Sequence, residues 1–226
     1  MVSQSVVRLL VSEAVGKQRV LKQADFKNAF VQAKLPDNEL IVVKPPRGCP
    51  RSAPNTFWKL IKTLYGLRRS PHHWYDTLKK CFALINMYPL PNQPSAFVGC
   101  PIPDAPPLYV GCYIDDVVYF SESDQVEQWF EAGLSSHLRV EFMGPVSYYL
   151  GVYFRWFMDD NDELAVHLSQ SNYIAALLER YSFDLEEVRT AHTPFRSGYP
   201  IDSVNRDKKL CEAKHTRYRA LMGSLG

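Results

Sequence analysis

Apolar and polar positions change period along the chain, and each change marks an element. Val6, Val7, Leu10, Val11 and Ala14 recur at helical spacing and predict a helix over 5–15 that ends near Gly16. Residues 19–24 (RVLKQA) predict a short strand running into Asp25. The β-branched run from Leu40 to Val43 predicts a strand stopped by Pro45 and Pro46, and residues 57–60 predict another. Ser70 followed by Pro71 predicts a capped helix through about residue 85, with Trp74, Leu78, Cys81 and Phe82 on one face.

Residues 86–107 hold seven of the sixteen prolines, which predicts an irregular connection. LYVGCYIDDVVYF (108–120) then predicts a hairpin with Asp115 and Asp116 at its turn. Asp124 and Glu127 have capping-box spacing, and Val126, Trp129, Phe130, Gly133, Leu134 and Leu138 carry the most regular helical pattern in the chain. YYLGVYFRW (148–156) and ELAVHL (163–168) flank DDND and predict a second hairpin, followed by a helix over 171–181. The last thirty residues carry no clear pattern. Strands and helices alternate irregularly around hairpins, which predicts an α+β fold and not a doubly wound sheet.

Composition narrows the class. A chain of 226 residues with 46% hydrophobic and 22% charged residues can bury a core, so disorder and collagen are excluded. Five cysteines without a C-x-x-C pair argue against a zinc ribbon or disulfide framework and for a reducing compartment. No apolar run reaches the ~18–20 residues of a membrane span. The stretch VVRLLVSEAV is broken by Arg8 and Glu13 and lacks a basic lead, which does not suit a secretory signal. A soluble, intracellular, cytoplasmic protein is expected.

The net charge of +2 hides an opposition. Residues 1–80 carry +10, residues 81–190 carry −12 and residues 191–226 carry +4. Segregation of this kind points to a polyanionic partner, a metal site or both, unless solvated faces simply happen to separate.

Adjacent aspartates at the end of an apolar strand are costly unless their charge is offset, although Asp is also common in exposed turns. A divalent cation is one compensator, since Mg²⁺ takes carboxylate oxygens and leaves positions for water or phosphate. Asp25 likewise follows an apolar strand, and the FKNAF after it is no Gly/Pro turn. Two strands ending in carboxylates could hold two cations about 3.5–4 Å apart, the arrangement that serves in-line phosphoryl transfer. His72 and His73 have no third ligand at useful spacing and read as surface or nucleic-acid contacts. Asp159, Asp160, Asp162 and Glu163 lack the EF-hand pattern and read as a solvated turn.

Several blocks resemble reverse transcriptases of the copia class of LTR retrotransposons. Tyr113-Ile114-Asp115-Asp116 resembles the Y-x-D-D signature, and Asp25-Phe26-Lys27-Asn28-Ala29-Phe30 the first polymerase motif, D-x-x-x-A-F. LYGLRRSPHHW (64–74), YYLG (148–151), LSQSNYIAALLERY (168–181), TPF (193–195) and YRALMGSLG (218–226) match further blocks in order.

The resemblance implies an RNA-directed DNA polymerase with a right-hand fold: a ferredoxin-like palm with partial fingers (1–155, fingers about 31–70), a thumb entry (156–200) and the start of a connection region (201–226). It implies that Asp25, Asp115 and Asp116 bind two Mg²⁺ ions, or Mn²⁺ in their place, assisted by the Phe26 carbonyl. Phe30 would be the steric gate against a 2′-hydroxyl, with Ala29 and Gly66 beside the incoming nucleotide. Tyr113, Arg68, Arg69, Leu150 and Gly151 would contact primer or template. The implied partners are a primed RNA or DNA template, dNTPs, and the integrase and ribonuclease H domains of a polyprotein, with a virus-like particle or the nucleus as alternative locations.

Read without the resemblance, Phe30 and Tyr113 are core aromatics and Gly66 a helix-entry turn. Departures from the pattern are Arg69 in place of the usual Gln and Glu141 where a basic residue is often found. The family's N-terminal fingers segment is expected to lie outside this chain. The competing expectations are a non-catalytic remnant that at most binds nucleic acid and, more remotely, another two-metal palm enzyme such as a nucleotide cyclase.

Overall fold

The computed structural model describes residues 3–46, 48–49, 55–100, 102–181 and 211–225. The elements in chain order are α1 (Gln4–Gly16), β1 (Lys22–Phe26), α2 (Ala29–Gln32), β2 (Val42–Val43), β3 (Trp58–Lys59), α3 (Ser70–Leu84), β4 (Tyr88–Leu90) and β5 (Gln93–Gly99). They continue with β6 (Leu108–Tyr113), β7 (Asp116–Ser121), α4 (Asp124–His137), β8 (Val140–Pro145), β9 (Tyr148–Tyr149), β10 (Val152–Met158), β11 (Leu164–Ser169), α5 (Ser171–Arg180) and α6 (Glu212–Leu225). The architecture is α+β with antiparallel sheets. The TPF block lies outside the described residues. Among those described, no helix is long and apolar enough to cross a membrane.

The chain divides into two compact units: residues 1–149 with 154–168, and residues 150–153 with 169–226. The first is built on a six-stranded sheet of order β4-β5-β6-β7-β1-β8, whose pairings are all antiparallel. One face of it carries the main core, in which Ala24, Phe26, Val110, Val117 and Tyr119 meet Trp74, Leu78 and Phe82 from α3 and Phe130 and Leu134 from α4. On the other face α1 packs against β6 and β7 through Val6, Val7, Leu10 and Val11. Cover on both faces explains why Val117 to Ser121 are buried without a break. At Gly133 of α4 the helices approach so closely that a Cβ would lie 2.9 Å from Ile85 Cγ2. In the second unit Tyr173 of α5 donates its hydroxyl to the Ser224 carbonyl of α6 at 2.7 Å, and Arg217 donates to the Tyr181 carbonyl at 2.6 Å.

The helices at 4–16, 70–84, 124–137 and 171–180 fall where the periodicity placed them, and β10 and β11 form the expected hairpin. Three local expectations fail. Residues 86–107 are not an irregular connection but supply β4 and β5. Pro89 sits on the edge strand, where a missing N–H costs nothing, and Pro94 lies outside the paired registers of β5. Ser70 does not cap α3; Arg69 holds that position, and the Ser70 hydroxyl donates to the Leu64 carbonyl at 2.6 Å. The capping box of α4 does not form either, because the Glu127 carboxylate accepts from the Ser121 N–H at 2.9 Å.

Candidate active site

The β6–β7 hairpin turns through Ile114 and Asp115, with Tyr113 paired opposite Asp116. Asp116 is thus the first residue of β7, and only Asp115 is within the turn itself. In the next strand Asp25 of β1 is paired opposite Asp116, and on its other side Asp25 is paired opposite Glu141 of β8. Directly opposed residues share a face, so Tyr113, Asp116, Asp25 and Glu141 form one row across four strands. It lies on the face away from Phe26, Val117 and Cys112, which enter the main core.

Burial pushes the Asp116 carboxyl above its usual range, and the charges of Asp115 and then Asp25 push it further, while a hydrogen bond from Gln23 works against them. Lys27 partly offsets the row: its ammonium contacts Glu141 and lies 3.7 Å from Asp25 Oδ2. The Glu141 hydrogen bond is the main reason the Lys27 ammonium is held above its ordinary value.

Among the described residues, no three His, Cys, Asp or Glu side chains are grouped in an arrangement that could hold a metal ion. The donor chemistry suits a hard divalent cation all the same. Asp25 and Asp116 are paired opposite each other at two strand ends, with Asp115 adjoining, and the raised Asp116 records an electrostatic cost that a cation would relieve.

The turn is held from behind. Ile114 has φ +58°, a conformation in which a β-branched residue is strained. Trp74 of α3, 2% exposed, donates its indole N–H to the Ile114 carbonyl at 2.6 Å. The Phe26 N–H donates to the Asp115 carbonyl at 2.9 Å, and the Phe26 ring meets the Trp74 ring edge-on at 5.2 Å. Tyr149 is buried and its hydroxyl lies 3.5 Å from the Asp116 carbonyl, at the limit of a hydrogen bond. Burial raises that hydroxyl's pKa and keeps it protonated.

The remaining sequence-expected residues are placed as follows. Phe30 is partly buried and its ring leans on Tyr65 at 4.8 Å, while the Ala29 side chain is fully buried. Gly66 has φ +92° with open space around its missing Cβ, so its backbone angle is what requires glycine. Arg68 is exposed; Arg69 is exposed too, but lies 3.3 Å from Glu39. Leu150 and Gly151, with φ +48° and +83°, form the two-residue turn between β9 and β10 and belong to the second unit. His73 is not at the surface: it is buried and its Nε2 lies 2.9 Å from Glu39, whereas exposed His72 pairs with Asp76 at 3.4 Å. Asp159 caps its turn by accepting from the Asn161 and Glu163 N–H groups, as a solvated hairpin requires.

Sequence reasoning missed Gln23, Lys27, Glu141 and Trp74 as neighbours of the site. Glu141 carries no local signal, because only the pairing of β8 with β1 brings it opposite Asp25; Trp74 read only as a core residue of its helix.

Residues 1–197 match the family described as reverse transcriptase (RNA-dependent DNA polymerase). The chain is 28% identical over 224 residues to the retrovirus-related Pol polyprotein from transposon RE1 of Arabidopsis thaliana, covering 99% of this chain and 14% of that protein. It is 25% identical over 224 residues to the corresponding polyprotein from transposon RE2 of the same plant, again covering 99% and 14%. To the one from transposon TNT 1-94 of Nicotiana tabacum it is 24% identical over 214 residues, covering 93% of this chain and 15% of that protein. The chain therefore spans about one-seventh of the length of these relatives. No solved structure is significantly similar to it.

Proposed function

The chain belongs to the reverse transcriptase (RNA-dependent DNA polymerase) family, and from that premise we propose that it is the palm-centred core of an enzyme that adds dNTPs to a primer 3′-hydroxyl on an RNA template. The observation that carries the proposal is the row formed by Tyr113, Asp116, Asp25 and Glu141, with Asp115 in the adjoining turn. Asp25, Asp115 and Asp116, with the Phe26 carbonyl, would hold two Mg²⁺ ions, which when bound activate the attacking oxygen and offset charge developing on the phosphate. The protein's own groups do the positioning, which carries most of the rate in phosphoryl transfer.

Tyr113, next to Asp116 in the row, would meet the primer terminus. The Phe30 ring, supported by Tyr65, would lie under the sugar and exclude a 2′-hydroxyl. Gly66 and the exposed Arg68 would face the incoming nucleotide and the template backbone. Leu150 and Gly151 would grip the primer, residues 1–155 would be palm and partial fingers, and residues 156–200 the thumb entry. Integrase and ribonuclease H domains of a polyprotein would be its covalent partners.

A second reading, a non-catalytic remnant, is favoured by Lys27, whose ammonium pairs with Asp25, one of the proposed ligands, as well as with Glu141. Primer extension on poly(rA)/oligo(dT) with Mg²⁺ or Mn²⁺ separates the two. Extension above an Asp115→Asn control supports the polymerase; extension equal to that control supports the remnant.

A further inference from the structure

We propose that Trp74 is a positioning residue that fixes the backbone of the acidic turn beside Asp25, a proposal that rests on reading Asp25, Asp115 and Asp116 as cation ligands. Ile114 is the residue that most needs such support. It is β-branched, has φ +58°, and immediately precedes Asp115. A strained backbone of this kind persists only where its surroundings over-determine it.

Trp74 supplies that determination from outside the hairpin. Its helix is anchored in the core by Leu78 and Phe82, both essentially unexposed, so the indole is a fixed point. From there its N–H reaches the Ile114 carbonyl at 2.6 Å. Its ring also touches the Phe26 ring at 5.2 Å, and the Phe26 N–H reaches the Asp115 carbonyl at 2.9 Å. The contacts close a circuit: indole to Ile114, along the chain to Asp115, across to Phe26, and back to the indole. Asp115 lies within the circuit and Asp25 is the neighbour of Phe26. One side chain therefore ties the backbone of the turn that carries Asp115 to the strand that carries Asp25. Packing alone would be served by any large apolar residue at this position; the indole N–H is the feature that the turn uses.

Two substitutions separate positioning from packing. Trp74→Phe keeps most of the ring volume and loses the donor. Trp74→His loses the six-membered ring but keeps the five-membered one, placing its Nε2–H where the indole N–H lies. Mn²⁺ binding to the intact chain, read by electron paramagnetic resonance of the free ion, and thermal midpoints are measured for both, beside wild type and Asp116→Asn. Trp74→Phe should weaken Mn²⁺ binding by about tenfold, the lower end for loss of an outer-sphere support. Trp74→His should bind more tightly than Trp74→Phe even though its larger cavity makes it the less stable of the two. Wild-type binding in Trp74→Phe, or affinity that follows the thermal midpoints of the two variants, overturns the proposal. Wild-type Mn²⁺ binding that Asp116→Asn leaves unchanged overturns the carboxylate reading, and the proposal with it. Loss of binding in Asp116→Asn but not in Trp74→Phe overturns the proposal alone.

Discussion

Asp116→Asn should stabilise the protein in the absence of divalent cations, although it removes a carboxylate proposed to be essential. In the folded chain Asp116 is opposed by Asp25 and adjoined by Asp115, whereas Lys27 is engaged with Asp25 and Glu141. Directly opposed strand residues stand about 5 Å apart at Cβ. Two like charges at that distance repel by about 1 kcal/mol at the dielectric of water and about 3 kcal/mol at an effective value of 20. Asp116 is only partly buried, so solvent screening favours the lower figure. An asparagine can keep the hydrogen bond with Gln23 and removes the repulsion, for a net gain of about 1 kcal/mol. In a chain of this size that raises the thermal midpoint by about 2–4 °C.

The sign of the pH dependence follows from the raised pKa of Asp116. Its protonated form favours the fold, so the associated stability is fully present below the ordinary aspartate value of 3.8 and is lost as pH rises through the higher folded value. The advantage of Asp116→Asn should therefore be largest at neutral pH and vanish in acid. Calorimetry of both proteins in chelator across pH measures it. Added Mn²⁺ should then raise the wild-type midpoint more than the variant's, because a ligand stabilises the state that binds it. A variant less stable than wild type at neutral pH would refute the reasoning, since it would mean the carboxylates do not repel.

Other substitutions test the packing and the nucleotide site. Gly133→Ala places a methyl 2.9 Å from Ile85 Cγ2; overpacking of about 1–3 kcal/mol should exceed the helix-propensity gain of about 1 kcal/mol and lower the denaturation midpoint. Glu127 is fully buried, with Lys22 at 2.8 Å and Arg19 at 3.5 Å. Glu127→Gln should destabilise by about 1–3 kcal/mol in urea titrations, the lower part because both cations keep other acidic neighbours and reach solvent. Phe30→Ala should raise ribonucleotide incorporation relative to deoxyribonucleotide by about tenfold or more, read as the ratio of single-addition rates with UTP and dTTP. An unchanged ratio would remove Phe30 as the gate.

How far the sequence could be read depended on where the information lies. Asp25, Asp115 and Asp116 were legible because charges next to apolar strands are visible without a structure. That Asp25 stands opposite Asp116 depends on non-local strand pairing, which a local pattern does not encode. The same limit hid Glu141, which is distant in sequence from Asp25 and opposite it in β8. In β4 and β5 the proline-rich composition pointed away from strands, because composition does not reveal which positions are unpaired. Glu127 satisfies the spacing of a capping box, yet its carboxylate is drawn instead to Ser121, Lys22 and Arg19. His73 read as exposed because its partner, Glu39, is thirty-four residues away. Trp74 was recognised as buried, but helical periodicity cannot report which carbonyl an indole N–H meets.

The most direct test is addition of dTMP to oligo(dT) on poly(rA) with Mg²⁺ or Mn²⁺, comparing wild type with Asp25→Asn, Asp115→Asn and Asp116→Asn. If the row and its adjoining turn form a nucleotidyl-transfer site, wild type extends the primer and each variant falls to the level of a no-enzyme control. Extension by wild type that survives all three substitutions, or extension by none of the four, would contradict it.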